Sequence, residues 1–490
     1  VVSALLDRRE LRVYPGLEAG GFGDPLPPLE LDTSVHALEA GHQTEPLIAV
    51  TDEGVAAVRL QHTPEGPRLE LVRLFDSLTS FAGSGAFYAD LQLLHDLDGD
   101  GRTDIVLPTE TGWTIHRGTV TGFHPTPVAL LALPAAREDE DDEEEDPTVE
   151  VSGDESEQEK EWDATARESE RDEDDEEPND EDRERRRRPY IRLPEARDID
   201  SDGVPDLLLP STDGRRGPIV YRNSGDLEFS AALELELPDG RPGSEEIAFV
   251  GDLDGDGVAE VVSQQEREPD DDAGFRAEID HAKRPRFTYR IYALRPDLTL
   301  AAEPRRTFAA IGYVFEGSDN HDEEIDVRLP GGFKDLDGDG RNDLVAITLD
   351  FSLVPLIFRA LVFQSISLKM DFHPWCQQAE GGFREVPDLD LSGKFRINFR
   401  NVQVKHLSQF NGDFNGDGRK DFVQLGRGKK VTIHQGGPGC TYPRKPDRRI
   451  RLTREPKHLG LVRILDLDSN GRSDLYVVQP LRDPKTGESI

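Results

Sequence analysis

Cysteine is almost missing from this chain: Cys376 and Cys440 are the only two in 490 residues. That is too few for a disulfide-built scaffold or a cysteine-rich zinc module. Long apolar runs are missing too. The best candidate, "SLVPLIFRALVF" from Ser352, is too short to cross a bilayer and carries Arg359, so no transmembrane segment is expected. Neither an initiating Met nor a signal peptide opens the chain, which reads as already processed or trimmed. No His-Glu-x-x-His, Gly-x-Ser-x-Gly or Gly-x-x-x-x-Gly-Lys motif occurs, and the expectation is a protein that is not an enzyme. Catalytic groups converging from separate repeats would leave no such motif, so a polysaccharide-acting enzyme stays as an alternative.

Positive charge is also scarce: 58 Lys and Arg face 99 Asp and Glu, for a formal net charge of −41. The resulting field repels phosphate, and a general nucleic-acid role is excluded. The acids are concentrated in two places. Residues 138–182 hold 27 acids and three bases, and cannot bury enough apolar surface to fold. Residues 138–188, ending in Arg185 to Arg188, are therefore read as a disordered acidic insert. A solvated loop and a partner-binding tether both fit it.

The remaining acids recur in a nine-residue pattern: Asp or Asn at positions 1, 3 and 5, Gly at 6, and Asp or Glu at 9. "DLDGDGRTD" carries Asp96, Asp98, Asp100, Arg102 and Asp104. "DIDSDGVPD" carries Asp198, Asp200, Asp202, Val204 and Asp206, and "DLDGDGVAE" carries Asp252, Asp254, Asp256, Val258 and Glu260. "DLDGDGRND" brings Asp335, Asp337, Asp339, Arg341 and Asp343; "DFNGDGRKD" brings Asp413, Asn415, Asp417, Arg419 and Asp421. The last, "DLDSNGRSD", has Asp466, Asp468, Asn470, Arg472 and Asp474. Alternate carboxylates on a tight loop point at one centre, which suits calcium with its six to eight oxygens. The expected ligands are the side chains at 1, 3, 5 and 9 and the backbone carbonyl at 7, with up to six calcium ions per chain. Glycine at 6 takes the positive φ of the turn. A helix-loop-helix hand is excluded, because position 12 is never acidic and the flanks read as strands.

The first aspartates are 102, 54, 83, 78 and 53 residues apart. A unit near fifty residues with several short strands is a propeller blade, the longer intervals carrying inserts. The first copy shows strand A as "ADLQLLHDL", B as "DIVLPT", C as "GWTIHRG" and D as "PVALLALP", so the calcium loops are A–B turns. A further blade upstream, "PLIAVTDEGVAAVRLQH", has no acidic loop. Strands C and D in residues 1–37 complement A and B at the C-terminal end. The expected fold is all-β: one seven-bladed propeller of four-stranded blades over residues 1–490, its ring closed by N- and C-terminal strands sharing a blade.

These loops, together with the glycine-phenylalanine turns "GGFGDP" at 20, "TGFHP" at 121 and "GGFREVP" at 381, resemble the FG-GAP or VCBS-type repeats of integrin-α-like propellers. The resemblance implies a secreted, periplasmic or cell-surface protein that binds partners, with calcium stiffening the blades rather than catalysing anything. Asn415 and Asn470 depart from it and remove a charge from each loop.

Strand parity then separates two faces. A–B and C–D turns share one, while B–C and D–A connections share the other. The acidic segment, the insert from Gln264, "EGSDNHDEEIDVRLPGG" from Glu316, and the run from Ser352 all fall on the face opposite the calcium loops. That face is expected to take a protein or glycan partner, with strands near 264–287 and 352–364 as a raised wall and the chain monomeric. A structural subunit of a surface assembly is a further alternative. Cys376 and Cys440 lie just before C–D turns of adjacent blades, where a disulfide and two free thiols both fit. His321 with Asp319 and Asp322, and "DFHPWCQQ" around His373, are read as a solvated loop and an edge-packing insert.

Overall fold

The computed structural model describes residues 2–5, 10–13, 27, 29–30, 32–33, 35–40, 47–64, 66–80, 92–133, 193–209, 217–238, 245–267, 274–314, 332–351, 365–386, 391–398, 403–404, 407–425, 430–452, 462–465 and 471–477. Apart from one helix, the regular elements among them are antiparallel strands. They form six blades in chain order. The first is Val35–Ala40, Leu47–Thr51, Gly54–Thr63 and Gly66–Asp76, and the second is Leu94–His95, Asp104–Thr109, Gly112–His116 and Ala129–Ala132. The third is Glu195–Arg197, Asp206–Leu209, Ile219–Tyr221 and Leu233–Glu234; the fourth is Glu245–Asp252, Ala259–Glu266, Arg286–Ala293 and Arg306–Ile311. The fifth begins Gly332–Lys334, Asp343–Asp350, Ser365–Gln377 and Ser392–Asn398, extended by Gln403–Val404 and by Phe383–Glu385. The sixth is Leu407–Gly412, Asp421–Leu425, Lys430–His434 and Arg448–Arg451.

Each blade buries both faces of its inner strands against its neighbours, which is why strands B read as apolar runs rather than as alternations. Val106, Trp113 and Ile115 of the second blade pack on Leu207, Leu209 and Tyr221 of the third. Leu208 and Val220 then meet Val261 and Tyr292 of the fourth blade, and Val262 and Tyr289 meet Phe333 and Leu344 of the fifth. Val345 and Phe372 meet Phe410 and Phe422 of the sixth. The core is thus a series of blade-to-blade seams, one after another.

Among the described residues the expected seventh blade is not formed, and six blades are present. Val462–Leu465 and Asp474–Val477 make a two-stranded hairpin, while Val2–Leu5, Glu10–Val13 and Leu29–Glu30 make a separate three-stranded sheet. A strand has two hydrogen-bonding edges, and both edges of Glu10–Val13 are taken. Leu11 faces Ala4 on one side and Leu29 on the other. No edge remains there for the C-terminal hairpin, so the two ends do not share a sheet among the described residues. Each flanks the series instead. Leu29 packs against Val35, Ala49 and Val58 of the first blade, and Ile464 and Leu475 pack on Val423 and Ile433 of the sixth.

The insert from Gln264 also differs from the expected wall of strands. Strand B runs on to Glu266 and strand C starts at Arg286, but Gly274–Lys283 between them is a helix. Its composition, "GFRAEIDHAK", is rich in helix formers, and His281 and Lys283 stand in its last turn, where cations suit the helix dipole. Tyr313 donates its hydroxyl to the Ala282 carbonyl at 3.0 Å, and His281 Nε2 lies 2.8 Å from Glu266. These contacts tie the helix to the B–C and D–A end of its blade. The segments 138–188, 316–331 and 352–364 lie outside the described residues, as does His321. His373 belongs to strand C of the fifth blade rather than to an edge insert, and its Nε2 is 2.9 Å from Thr348 Oγ1.

Candidate metal centres

Strand A ends and strand B begins around each acidic loop, and five of the six loops are described. Their geometry repeats residue by residue. The position 1 carboxylate accepts the amide of the position 6 glycine: Asp96 from Gly101 at 3.0 Å, Asp198 from Gly203 at 3.0 Å, Asp252 from Gly257 at 2.9 Å, Asp335 from Gly340 at 2.9 Å and Asp413 from Gly418 at 2.8 Å. Those glycines sit at φ of 79–87°, the region where an L side chain is strained. The expected turn chemistry is therefore present in every described copy.

Position 9 does more than its spacing suggested. One of its oxygens accepts the position 2 amide: Leu97 to Asp104 at 3.0 Å, Ile199 to Asp206 at 2.9 Å, Leu253 to Glu260 at 3.1 Å, Leu336 to Asp343 at 2.9 Å and Phe414 to Asp421 at 2.9 Å. The other oxygen takes an amide at or just past the end of strand C: Gly118 to Asp104 at 2.7 Å, Asn223 to Asp206 at 2.7 Å, Gln377 to Asp343 at 2.8 Å and Gly436 to Asp421 at 2.9 Å. In the fourth blade Arg305 fills that role, 3.1 Å from Glu260. The buried carboxylate thus staples the A–B loop to the C–D turn. Burial is the main cause that pushes Asp104, Asp206 and Asp343 up to about 6 and Glu260 up to about 7, with the amides pulling the other way.

Positions 3, 5 and 7 divide the loops. Asp98 is paired with Arg117 at 3.3 Å, and Asp200 with Arg222. These arginines follow strand C, in "IHRG" and "VYRN", and their part in the loop was not visible from loop spacing alone. Asp254 Oδ1 and Asp337 Oδ1, by contrast, are buried with no hydrogen-bond partner. At position 5, Asp100 is paired with the Arg102 side chain, Asp339 with Arg341, and Asp417 with Arg419 at 2.9 Å. In these three loops position 7 therefore contributes its side chain. Asp202 and Asp256 instead accept only the amides of Val204 and Val258, at 2.9 and 2.8 Å.

The carboxylate oxygens converge three at a time in four of the five described loops, not four at a time as the alternation suggested. Asp96, Asp98 and Asp104 each offer an oxygen within 4.8 Å of the others, as do Asp198, Asp200 and Asp206, and Asp252, Asp254 and Glu260. In the fourth loop the set is Asp335, Asp337 and Asp339. Positions 1, 3 and 9 are brought together in three loops, while position 5 joins in one. Asp466, Asp468 and Asn470 lie outside the described residues.

Neighbouring loops also touch. Asn342 donates its amide to the Leu253 carbonyl at 2.9 Å and its side chain to the Asp252 carbonyl at 2.7 Å. Lys420 donates to Leu336 at 2.9 Å and Ser473 to Asp413 at 2.6 Å. Position 8 of each of these loops thus bonds the loop before it. This contact explains the position 4 glycine of two loops: a Cβ on Gly255 would lie 2.4 Å from the Gly340 carbonyl oxygen, and one on Gly338 would lie 2.8 Å from that of Gly418.

The fold is a β-propeller of four-stranded blades whose A–B turns repeat one acidic loop. Residues 198–263, covering the second loop, the third loop and the strands between them, match the family model described as FG-GAP-like repeat. No curated protein matches the chain. Among solved structures it is similar to an Agrocybe aegerita lectin described as recognising non-reducing terminal N-acetylglucosamine, at 15% identity and TM-score 0.42, covering 86% of this chain and 80% of that one. It is also similar to a Photorhabdus luminescens Tc holotoxin pore, at 14% identity and TM-score 0.32, covering 95% of this chain and 15% of that one. An exotype rhamnogalacturonan lyase follows, at 14% identity and TM-score 0.23, over 61% and 55%. At such TM-scores these likenesses say nothing about ligand or chemistry. Among the described residues, no helix is long and apolar enough to cross a membrane.

Proposed function

We propose that this propeller is a calcium-stiffened extracellular binding module, not an enzyme, which takes a protein or glycan partner on the face opposite its acidic loops. The observation that carries the calcium reading is the pair of buried, unpartnered oxygens at position 3, Asp254 Oδ1 and Asp337 Oδ1. Each stands in a set of three carboxylates whose oxygens lie within 4.8 Å of one another. A buried carboxylate oxygen without a donor is costly, and a hard cation meets that need with the oxygen chemistry these loops offer. Asp252, Asp254 and Glu260 would hold one ion, and Asp335, Asp337 and Asp339 another. The loops at 96 and 198, where Arg117 and Arg222 already neutralise position 3, would be weaker sites. Ions at these loops would add rigidity where each loop already leans on the next.

The partner face rests on parity. All the long inserts leave the B–C and D–A ends of the blades, where chain can vary without disturbing the loops. The helix Gly274–Lys283 is held at that end by Tyr313 and Glu266. The test is a glycan and protein array probed with the full chain, followed by replacement of residues 268–284 by a short turn. Binding lost with calcium-dependent melting intact supports the assignment. Binding that survives the replacement but falls on mutation of the C–D turns would reverse the faces.

A further inference from the structure

We propose that Cys376 and Cys440 form a disulfide that ties the fifth blade to the sixth. The chain's two cysteines stand 64 positions apart in sequence, yet both sulfurs and an oxygen of Asp337 lie within 4.8 Å of one another. Cys376 ends strand C of the fifth blade, and Cys440 sits in the C–D turn of the sixth. Both are buried in one apolar cluster with Phe372, Phe410, Phe422 and Tyr442. Cys376 Sγ lies 3.6 Å from Asp337 Oδ2, which also accepts the Gly439 amide at 2.8 Å, so the two turns are already held side by side.

A second observation concerns the backbone. Cys440 has φ of +53°, a conformation that L residues other than Asn and Asp rarely adopt. The turn "GGPGCTY" is rich in glycine, yet a cysteine occupies this position. Its side chain is what the position supplies, a thiol that is free in this structure with its sulfur within 4.8 Å of the other.

The oxidant is a low-molecular-weight disulfide of an oxidising compartment. One cysteine thiolate attacks that disulfide and expels one small thiol; the second cysteine thiolate attacks the mixed disulfide and expels the other. Two protons pass from the cysteines to the two departing thiols, the cysteine pair loses two electrons, and the small disulfide gains them. With both sulfurs buried in the folded chain, the exchange takes place during folding, and the finished bond is shielded from reductants.

The test refolds the full chain in oxidised and reduced glutathione, denatures it, and alkylates it with and without reductant. No alkylation before reduction and two groups after it, with the Cys376 and Cys440 peptides recovered as one cross-linked species, is the expected result. Two alkylatable thiols before reduction would overturn the proposal. Metal content of the same sample then shows whether the sulfurs hold a soft cation instead. Cys376→Ser and Cys440→Ser are each expected to leave one titratable thiol and to melt with the reduced chain, a few degrees below the oxidised one (about the size expected for closing a loop this long). Serine variants that melt with the oxidised chain would overturn the tie between blades.

Discussion

Asp206→Asn tests the staple at position 9 apart from any metal. The Asp206 side chain is fully buried and accepts three backbone amides: Ile199 at 2.9 Å, Asp200 at 3.3 Å and Asn223 at 2.7 Å. Asparagine keeps the shape but offers one carbonyl oxygen, and turns an amide group toward at least one of those donors. Hydrogen bonds to a charged acceptor contribute about 1.5–3 kcal/mol each, and an orphaned buried N–H costs a similar amount. With the Asp200 bond long and so discounted, the local cost is about 3–5 kcal/mol. Across a chain of this size the unfolding entropy is so large that this shifts the melting temperature by only about 1 °C per kcal/mol, taking about 2.1 cal/mol/K per residue. Amide hydrogen exchange is the better assay. In chelator, peptides spanning 198–206 and 222–230 should exchange about 10²- to 4 × 10³-fold faster in the variant, since 1.4 kcal/mol is tenfold. Asp202→Asn, at an exposed position 5, should change exchange there by less than about tenfold. Equal effects from the two variants, or no effect from Asp206→Asn, would refute the staple.

Three further outcomes follow from the same geometry. Gly255→Ala should destabilise the chain more than Gly257→Ala: both sit at positive φ, but only the first puts a Cβ 2.4 Å from a neighbouring carbonyl, whereas the second meets nothing within 4 Å. The strain shared by both is about 1–2 kcal/mol, and urea titration of the two variants reads the excess. In chelator, stability should fall as pH rises from about 4 toward 7, because Asp104, Asp206 and Asp343 are raised to about 6 and Glu260 to about 7. Over that window the folded state binds more protons than the unfolded one, so deprotonation favours unfolding, and saturating calcium should flatten the slope. Asp337→Asn should weaken calcium binding at its loop more than Asp98→Asn does at the first, since Asp98 is already paired with Arg117, and calorimetric titration of each variant measures this.

Much of this was legible from residue type and spacing. The alternation Asp-x-Asp-x-Asp-Gly is a local rule: position 1 reaches position 6 within one turn, so the loop's shape travels with its letters. Strands B were legible because their burial on both sides demands an apolar run. What escaped the sequence was every contact whose partner lies far along the chain. The staple at position 9 ends on Gly118, Asn223, Gln377 and Gly436, which no loop motif contains. The position 4 glycines Gly255 and Gly338 answer to a carbonyl in the next blade's loop, 85 residues on in the case of Gly255 and Gly340. The blade count failed for a related reason. Strand matching counted halves at the two termini and could not see that Val2–Leu5 would occupy the edge the C-terminal hairpin needed. The helix Gly274–Lys283 was hidden by the surrounding β pattern, although its Ala, Glu, Arg and Lys residues are ordinary helix formers.

Calorimetric titration of the chelator-stripped full chain with calcium tests the central claim most directly. The geometry predicts two ions per chain at the loops from Asp252 and Asp335, binding at roughly 10⁻⁴ to 10⁻³ M as in extracellular modules, with weaker uptake at the loops from Asp96 and Asp198 and the melting temperature rising as the sites fill. No calcium bound, or saturation without any rise in melting temperature, would contradict it.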